Sequence, residues 1–365
     1  MRKELGSLAK HRAYLMEPPK RGSVVPFPCD PSKVFATQVK GLAARLKAIK
    51  CRDVMIGLSG GLDSTLALLV ADAAFAKLKL DKRGIHIYAM PGFGTSKRTK
   101  GNAELLCEGL ELNLEFISIV KSVRQHLKDI GHDGKTPDIT YENAQARMRT
   151  MILMDKANMT GGIVIGTGDL SEIALGWSTY NGDHMSMFGV NSGVPKTVVR
   201  KVCQWWADSV LSSKFKVQSS KLMVAARAVL DIIATPVSPE LVKGQVTEDK
   251  IGPYELHDFF LWNFIVNEMG SKDLQLAAER YFTVPSASSN IPLQSSPQGP
   301  LGGVTGVGKS AFSKELIAKT LKTFMWRFFT QAFKRNCQPD GIKVFPFELS
   351  LRGWWIPSDL GFVKV

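Results

Sequence analysis

Cysteine is scarce and scattered in this 365-residue chain: Cys29, Cys51, Cys107, Cys203 and Cys337 form no C-x-x-C pair, and the six histidines fall at no ligand spacing. Neither a zinc site nor a disulfide framework is suggested, and a reducing compartment fits. No apolar run reaches the length that spans a bilayer, and the basic N-terminus, MRKELGSLAKHRAYLMEPPKRG, develops no apolar core of the kind a secretory signal carries. The expected location is the cytoplasm, with no membrane partner. Internal repeats are missing too, as is any dense basic arm. The 47 Lys and Arg against 33 Asp and Glu give a formal charge of +14, spread along the whole chain. Such a charge suits polyanions, small ones such as nucleotides as well as nucleic acid, or is simply a basic surface.

What the chain does have is apolar content, 44% over this length, enough to bury a substantial core. Residues 1–33 are polar, basic and proline-containing and read as an N-terminal extension over a domain at 34–365. Helical spacing begins in SKVFATQVKGLAARLKAIK (32–50), where Phe35, Val39, Leu42 and Leu46 share a face. An apolar strand (53–58), a glycine-rich turn and a helical run (64–78) follow, then strands at 84–91, 114–119 and 161–168 separated by helices at 99–112 and 142–159. That alternation predicts an α/β fold, a doubly wound parallel sheet flanked by helices, with ligands beyond the C-terminal strand ends. After residue 200 the pattern is helical, broken by a Ser-, Pro- and Gly-rich insert at 283–310 that reads as a flexible loop, and a last helix is expected over about 311–335.

Two glycine-rich turns compete for a phosphate. GVTGVGKS (303–310) matches G-x-x-x-x-G-K-[ST], but it follows Pro292, Pro297 and Pro300, which a buried parallel strand would not tolerate. GLSGGLDS (57–64) matches no such pattern, yet it lies between a strand and a helix. There Gly60 and Gly61 let the backbone approach an anion, and helix amides and dipole favour negative charge. Asp63 would repel a phosphate unless Mg²⁺ lay between them. The bland alternative is an ordinary turn capped by Asp63 and Ser64.

GLSGGLDSTLALLVA resembles the pyrophosphate-binding loop of the N-type ATP pyrophosphatases. MPGFGTSKRTKGNA (90–103), DITYENAQARMRT (138–150), GTGDLSEIALGWSTYNGDHMSMFGVNSGVPKT (166–197), GPYELHDFFL (252–261) and FKRNCQPDGIKV (333–344) resemble NAD synthetase, in the synthetase portion of its glutamine-dependent type. The resemblance implies an adenine nucleotide alpha hydrolase-like fold and amidation of deamido-NAD to NAD through an adenylated intermediate, releasing AMP and pyrophosphate. The implied cofactors are ATP and Mg²⁺, and the implied partner is a second copy of the chain in a homodimer.

By the same resemblance, Gly57, Leu58, Ser59, Gly60, Gly61, Leu62, Asp63 and Ser64 hold the pyrophosphate end of ATP, Thr167 contacts ATP, and Asp63 is a catalytic and metal-binding residue. Glu172 matches a carboxylate for metal or for deamido-NAD; from the residues alone it closes a capping box, DLSE. Asn143, Trp177, Ser178, Thr179, Tyr180 and Lys334 match deamido-NAD contacts, with Trp177 and Tyr180 offering flat faces for a ring, although aromatics beside a glycine also serve plain packing. Lys334 would neutralise a phosphate or carboxylate, or simply complement a helix end. Asp183 and Lys196 are candidates for substrate and ATP contacts, Lys196 in a catalytic role, with a solvated surface charge as the alternative for each.

The glutamine-dependent enzymes carry an N-terminal amidase with a catalytic Glu, Lys and Cys, and nothing of that size precedes residue 34. The expectation is therefore ammonia, free or from a partner amidase, unless this sequence is a piece of a longer chain. Related enzymes with the same loop, such as GMP synthetase, asparagine synthetase or the tRNA-thiolating enzymes, are the nearest alternatives; scattered cysteines argue against the last. A nucleic-acid-binding protein with a degenerate loop would explain the charge but not the motifs after residue 138.

Overall fold

The computed structural model describes residues 26–94, 97–212, 220–235, 246–282 and 311–350. Most of the N-terminal extension and the whole 283–310 insert, with GVTGVGKS inside it, lie outside the described residues. Asp30 caps the first helix, α1 (Pro31–Ala48), by accepting the Lys33 amide, with Pro31 in the first turn where its missing N–H costs nothing. The order is then β1 (Val54–Gly57), α2 (Leu62–Leu78), β2 (Ile85–Ala89), α3 (Lys97–Gly109), β3 (Leu114–Phe116), α4 (Val120–Asp129), α5 (Ile139–Thr160), β4 (Ile163–Gly166), α6 (Leu170–Leu175) and β5 (Phe188–Gly189). Beyond them come α7 (Lys196–Leu211), α8 (Ser220–Ile233), α9 (Thr247–Ile251), α10 (Tyr254–Ile265), α11 (Ser271–Phe282) and α12 (Lys314–Thr330).

The strands form one parallel sheet in the order β3-β2-β1-β4-β5. Alternation along the strands divides the core. Val54, Ile56, Ile85, Ile87, Ile163 and Ile165 join the larger apolar cluster, while Met55, Tyr88 and Val164 join a smaller one on the other face. Helices α1, α2, α3, α7 and α8 pack together on the first side and α4 and α5 on the second, so both faces are dry and the sheet is doubly wound, as expected. The C-terminal part is helical, with α10 packed on α6, α7, α11 and α12. The chain before α1 is tied into this part, because Phe27 lies 4.9 Å from the rings of both Trp262 and Phe345. No described helix is long and apolar enough to cross a membrane.

Three departures from the periodicity have local causes. Asp138 accepts the Tyr141 amide and starts α5 at Ile139, earlier than its apolar pattern shows. The two-residue β5 is too short to carry a period. The last helix stops at Thr330, and a 3₁₀ turn, Ala332–Cys337, carries Lys334 and Arg335 instead of a continued α-helix.

His257 on α10 offers a test of this core. It is 1% exposed, with Nε2 at hydrogen-bond distance from the Ile251 carbonyl, and burial pushes its pKa down to about 4. The unfolded chain takes up the proton first, near the ordinary 6.5, so the stability carried by the neutral ring is present above 6.5 and lost as pH falls through about 4. Relative to His257→Gln, the protein is expected to lose up to about 3 kcal/mol across that window, read from urea midpoints. A pH-independent difference would contradict the buried neutral state.

Candidate active site

The strand order reverses between β1 and β4, and the turns leaving these strands meet at that point. The first turn is SGGLDS. Gly60 has φ +76°, and a Cβ there would stand 2.5 Å from the Thr99 carbonyl oxygen, so neither the dihedral nor the space admits a side chain. The loop ties itself down. The Ser59 hydroxyl accepts the Gly61 amide at 3.1 Å, the Ser59 amide donates to Ser64 Oγ at 3.2 Å, and Ser64 and Thr65 hydroxyls donate to the Gly61 carbonyl. This leads directly into α2, with Asp63 in its first turn.

The second turn ends in Asp169, the N-cap of α6. Asp169 and Glu172 close a capping box, the Glu172 amide donating to Asp169 Oδ1 at 2.8 Å and the Asp169 amide to Glu172 Oε2 at 3.4 Å. A third residue joins the turns: buried Asn191 donates to the carbonyls of Asp63 and Thr167, both at 2.9 Å, while Gln38 from α1 donates to Asn191 Oδ1.

Between the two turns sits Lys196, from the start of α7 and 3% exposed. Its Nζ lies 2.5 Å from Asp63 Oδ2, 2.8 Å from Asp169 Oδ2 and 3.0 Å from Glu172 Oε1, under the ring of Tyr254 at 5.3 Å. Burial alone would push this ammonium down, but Asp169, Asp63 and Glu172 outweigh burial and hold it well above its ordinary pKa. Burial drives Asp169 well above the carboxylate range and Glu172 up to about 7, against the pull of Lys196, so one lysine does not meet the charge of three acids. Carboxylate oxygens of Asp63, Asp169 and Glu172 lie within 4.8 Å of one another, and Asp63 Oδ1 is buried with no hydrogen-bond partner. A hard divalent cation fits that donor set.

Asp63 and Glu172 of this cluster line a cleft of about 830 Å³, in the upper range for ligand sites. The whole 57–64 loop lines it, as do Thr167, Glu172, Asn143, Trp177, Ser178, Thr179, Asp183 and Lys334. Several of these side chains hold one another. Thr179 Oγ1 donates to Asn143 Oδ1 and the Thr179 amide to Asp183 Oδ1, both at 2.7 Å. Cations close the C-terminal end of α6, where carbonyls lack helical partners: Arg335 donates to Ala174, Arg327 to Leu175 and Gly176, and Lys334 to Gly176 and Ser178. Arg327 also lies 4.8 Å from the Trp177 ring.

Some expectations change. Lys196 is neither a solvated surface charge nor in the cleft wall; it lies buried beneath the loop, because three carboxylates draw it inward. Tyr180 is not part of the cleft lining: its ring stacks on His184 and meets Phe333, 38% exposed. Glu172 is both cap and cluster member, so the two readings of DLSE were not alternatives. Sequence reading missed Asp169 and Asn191. A carboxylate straight after a glycine turn at a strand end was the available signal for Asp169; Asn191 offered none.

The NAD synthase family matches residues 34–283. Among curated relatives, the glutamine-dependent NAD(+) synthetase of Mycobacterium leprae is 38% identical over 354 residues, covering 91% of this chain and 49% of that protein. That of Thermotoga maritima is 30% identical over 253 residues, 69% of this chain and 41% of that one. This chain thus spans about half the length of the curated relatives it matches. Of solved structures, the glutamine-dependent NAD(+) synthetase from Cytophaga hutchinsonii superposes with a TM-score of 0.62 at 15% identity over 90% of this chain and 54% of that one. An NMN synthetase from Francisella tularensis gives 0.53 at 24% identity, covering 69% and 92%. The structural likeness is one of fold.

Proposed function

The chain belongs to the NAD synthase family, and on that premise we propose that it amidates deamido-NAD to NAD at the expense of ATP. The observation that carries this reading is the meeting of the SGGLDS loop with the Asp63, Asp169 and Glu172 cluster, of which the loop, Asp63 and Glu172 line a large cleft. In the first step the nicotinate carboxylate attacks the α-phosphorus and pyrophosphate leaves. In the second, ammonia attacks the acyl carbon, the bond to AMP breaks, and NAD and a proton are released. Both steps bring anions together, so the demand on the protein is placement and charge stabilisation.

The 57–64 loop and the α2 N-terminus hold the departing pyrophosphate. Asp63, Asp169 and Glu172 would hold a Mg²⁺, which when bound draws charge from the phosphate oxygens. Lys196 keeps the three carboxylates together without filling the cleft. Trp177, braced by Arg327, and the bonded set Asn143, Thr179 and Asp183 shape the dinucleotide end. Lys334, at that end, fixes the carbonyls of the turn and presents its remaining charge to the substrate. The nitrogen donor is ammonia, free or from a partner amidase. A homodimer is part of the proposal, supported by Met151 and Met159, which stay exposed along α5.

The test is to incubate the purified chain with ATP, Mg²⁺ and deamido-NAD, offer ammonium or glutamine separately, and follow NAD, AMP and pyrophosphate. Activity with ammonium and little with glutamine is expected; ADP in place of AMP would overturn the mechanism. Gly60→Ala is expected to raise the KM for ATP roughly tenfold, since a methyl at this dihedral and against Thr99 must displace the loop. An unchanged KM would place the nucleotide elsewhere.

A further inference from the structure

GPYELHDFFL takes no part in the chemistry above, yet it places two residues against the cluster. Tyr254 covers Lys196, and Asp258, one turn later on the same face of α10, is 1% exposed and accepts three hydrogen bonds. One comes from the Ser171 hydroxyl; the Thr197 amide and hydroxyl donate the others at 2.9 and 2.6 Å. Ser171 Oγ in turn accepts the Lys196 amide at 2.8 Å. Ser171 precedes Glu172 on α6, and Thr197 follows Lys196 on α7. The N-cap of α7 is Pro195, which offers no side-chain acceptor, so the first two amides of this helix, those of Lys196 and Thr197, are capped from α6 and α10. Burial pushes Asp258 up to about 6 even with three donors in place.

We propose that Asp258 is a positioning residue for the reaction: it joins α6 to the first turn of α7, and so fixes Lys196 Nζ between Asp63, Asp169 and Glu172 and the three carboxylates relative to one another. The proposal rests on reading this cluster as the cation site of the synthetase. It acts through geometry, not charge. An amide can stand in its place, with the oxygen toward Thr197 and the nitrogen donating to Ser171 Oγ, whereas a methyl cannot.

The test compares the whole chain with Asp258→Ala, Asp258→Asn and Ser171→Ala, reading Mn²⁺ affinity without nucleotide from the free-ion EPR signal alongside kcat. Asp258→Ala is expected to weaken Mn²⁺ binding and kcat each by about tenfold to a hundredfold. Asp258→Asn should recover most of both. Wild-type Mn²⁺ affinity in Asp258→Ala, or equal losses in Asp258→Asn and Asp258→Ala, would overturn the proposal. Should Asp258→Ala fail to fold, Ser171→Ala decides, since it cuts the link to the Lys196 amide; unchanged Mn²⁺ binding there would overturn it equally. Failure of the proposed reaction itself would appear as no AMP or NAD from the unaltered chain, and the Mn²⁺ affinities would still decide the role of Asp258.

Discussion

Asp63→Ala is expected to abolish NAD formation, by roughly 10³-fold or more, in a protein that still folds. Asp63 joins the two halves of the site: it stands in the first turn of the helix that follows the loop, one oxygen on Lys196, the other buried and unpartnered. Removing it takes away that unpartnered oxygen and one of three carboxylates, so both cation binding and its placement beside the phosphates are lost. The fold survives because Lys196 keeps Asp169 and Glu172, and Asn191 bonds the Asp63 main chain, which alanine retains. The measurement is single-turnover AMP release at saturating ATP, with circular dichroism to confirm the fold. Turnover within about tenfold of the parent would show that Asp63 contributes less than one oriented charge normally does.

Lys196→Met is expected to cost stability as well as activity. The ammonium is 3% exposed and compensates carboxylates of which Asp169 is fully buried, so its removal leaves them either charged away from water or forced to take up protons, a loss of about 3–5 kcal/mol. Methionine fills the space under Tyr254 and leaves no cavity to confuse the reading. The urea midpoint should fall by that amount divided by the slope, with the slope itself unchanged. Added Mg²⁺ should raise the melting temperature of the variant more than that of the parent, because three carboxylates then face a cation with no lysine among them. Equal responses to Mg²⁺ would mean that the cluster does not take the ion.

Much of this site was legible in the sequence. SGGLDS between an apolar strand and a helical run could only sit at the C-terminal edge of a parallel sheet, and the structure places it there beside the β4 turn. Trp177, Ser178, Thr179 and Asn143, which the resemblance singled out, line the same cleft as that loop. Side-chain direction was less legible. Tyr180 follows three residues of the lining but packs its ring against His184 and Phe333. Lys334 reaches the cleft from a 3₁₀ turn whose cations answer the carbonyls at the end of α6, a demand that arises only once α6 and that turn are neighbours.

The sequence by itself determined the strand and helix alternation, the loop that turns tightly enough to meet an anion, and the family, because these depend on local spacing and on short runs of residues. Only the tertiary structure decided that Lys196 is buried among Asp63, Asp169 and Glu172, that Asn191 ties the two turns, and that Asp258 caps a helix it does not belong to. Those contacts join residues 24 to 133 positions apart. Charge and hydrogen bonding act through space, and which groups meet is set by how the sheet and helices pack.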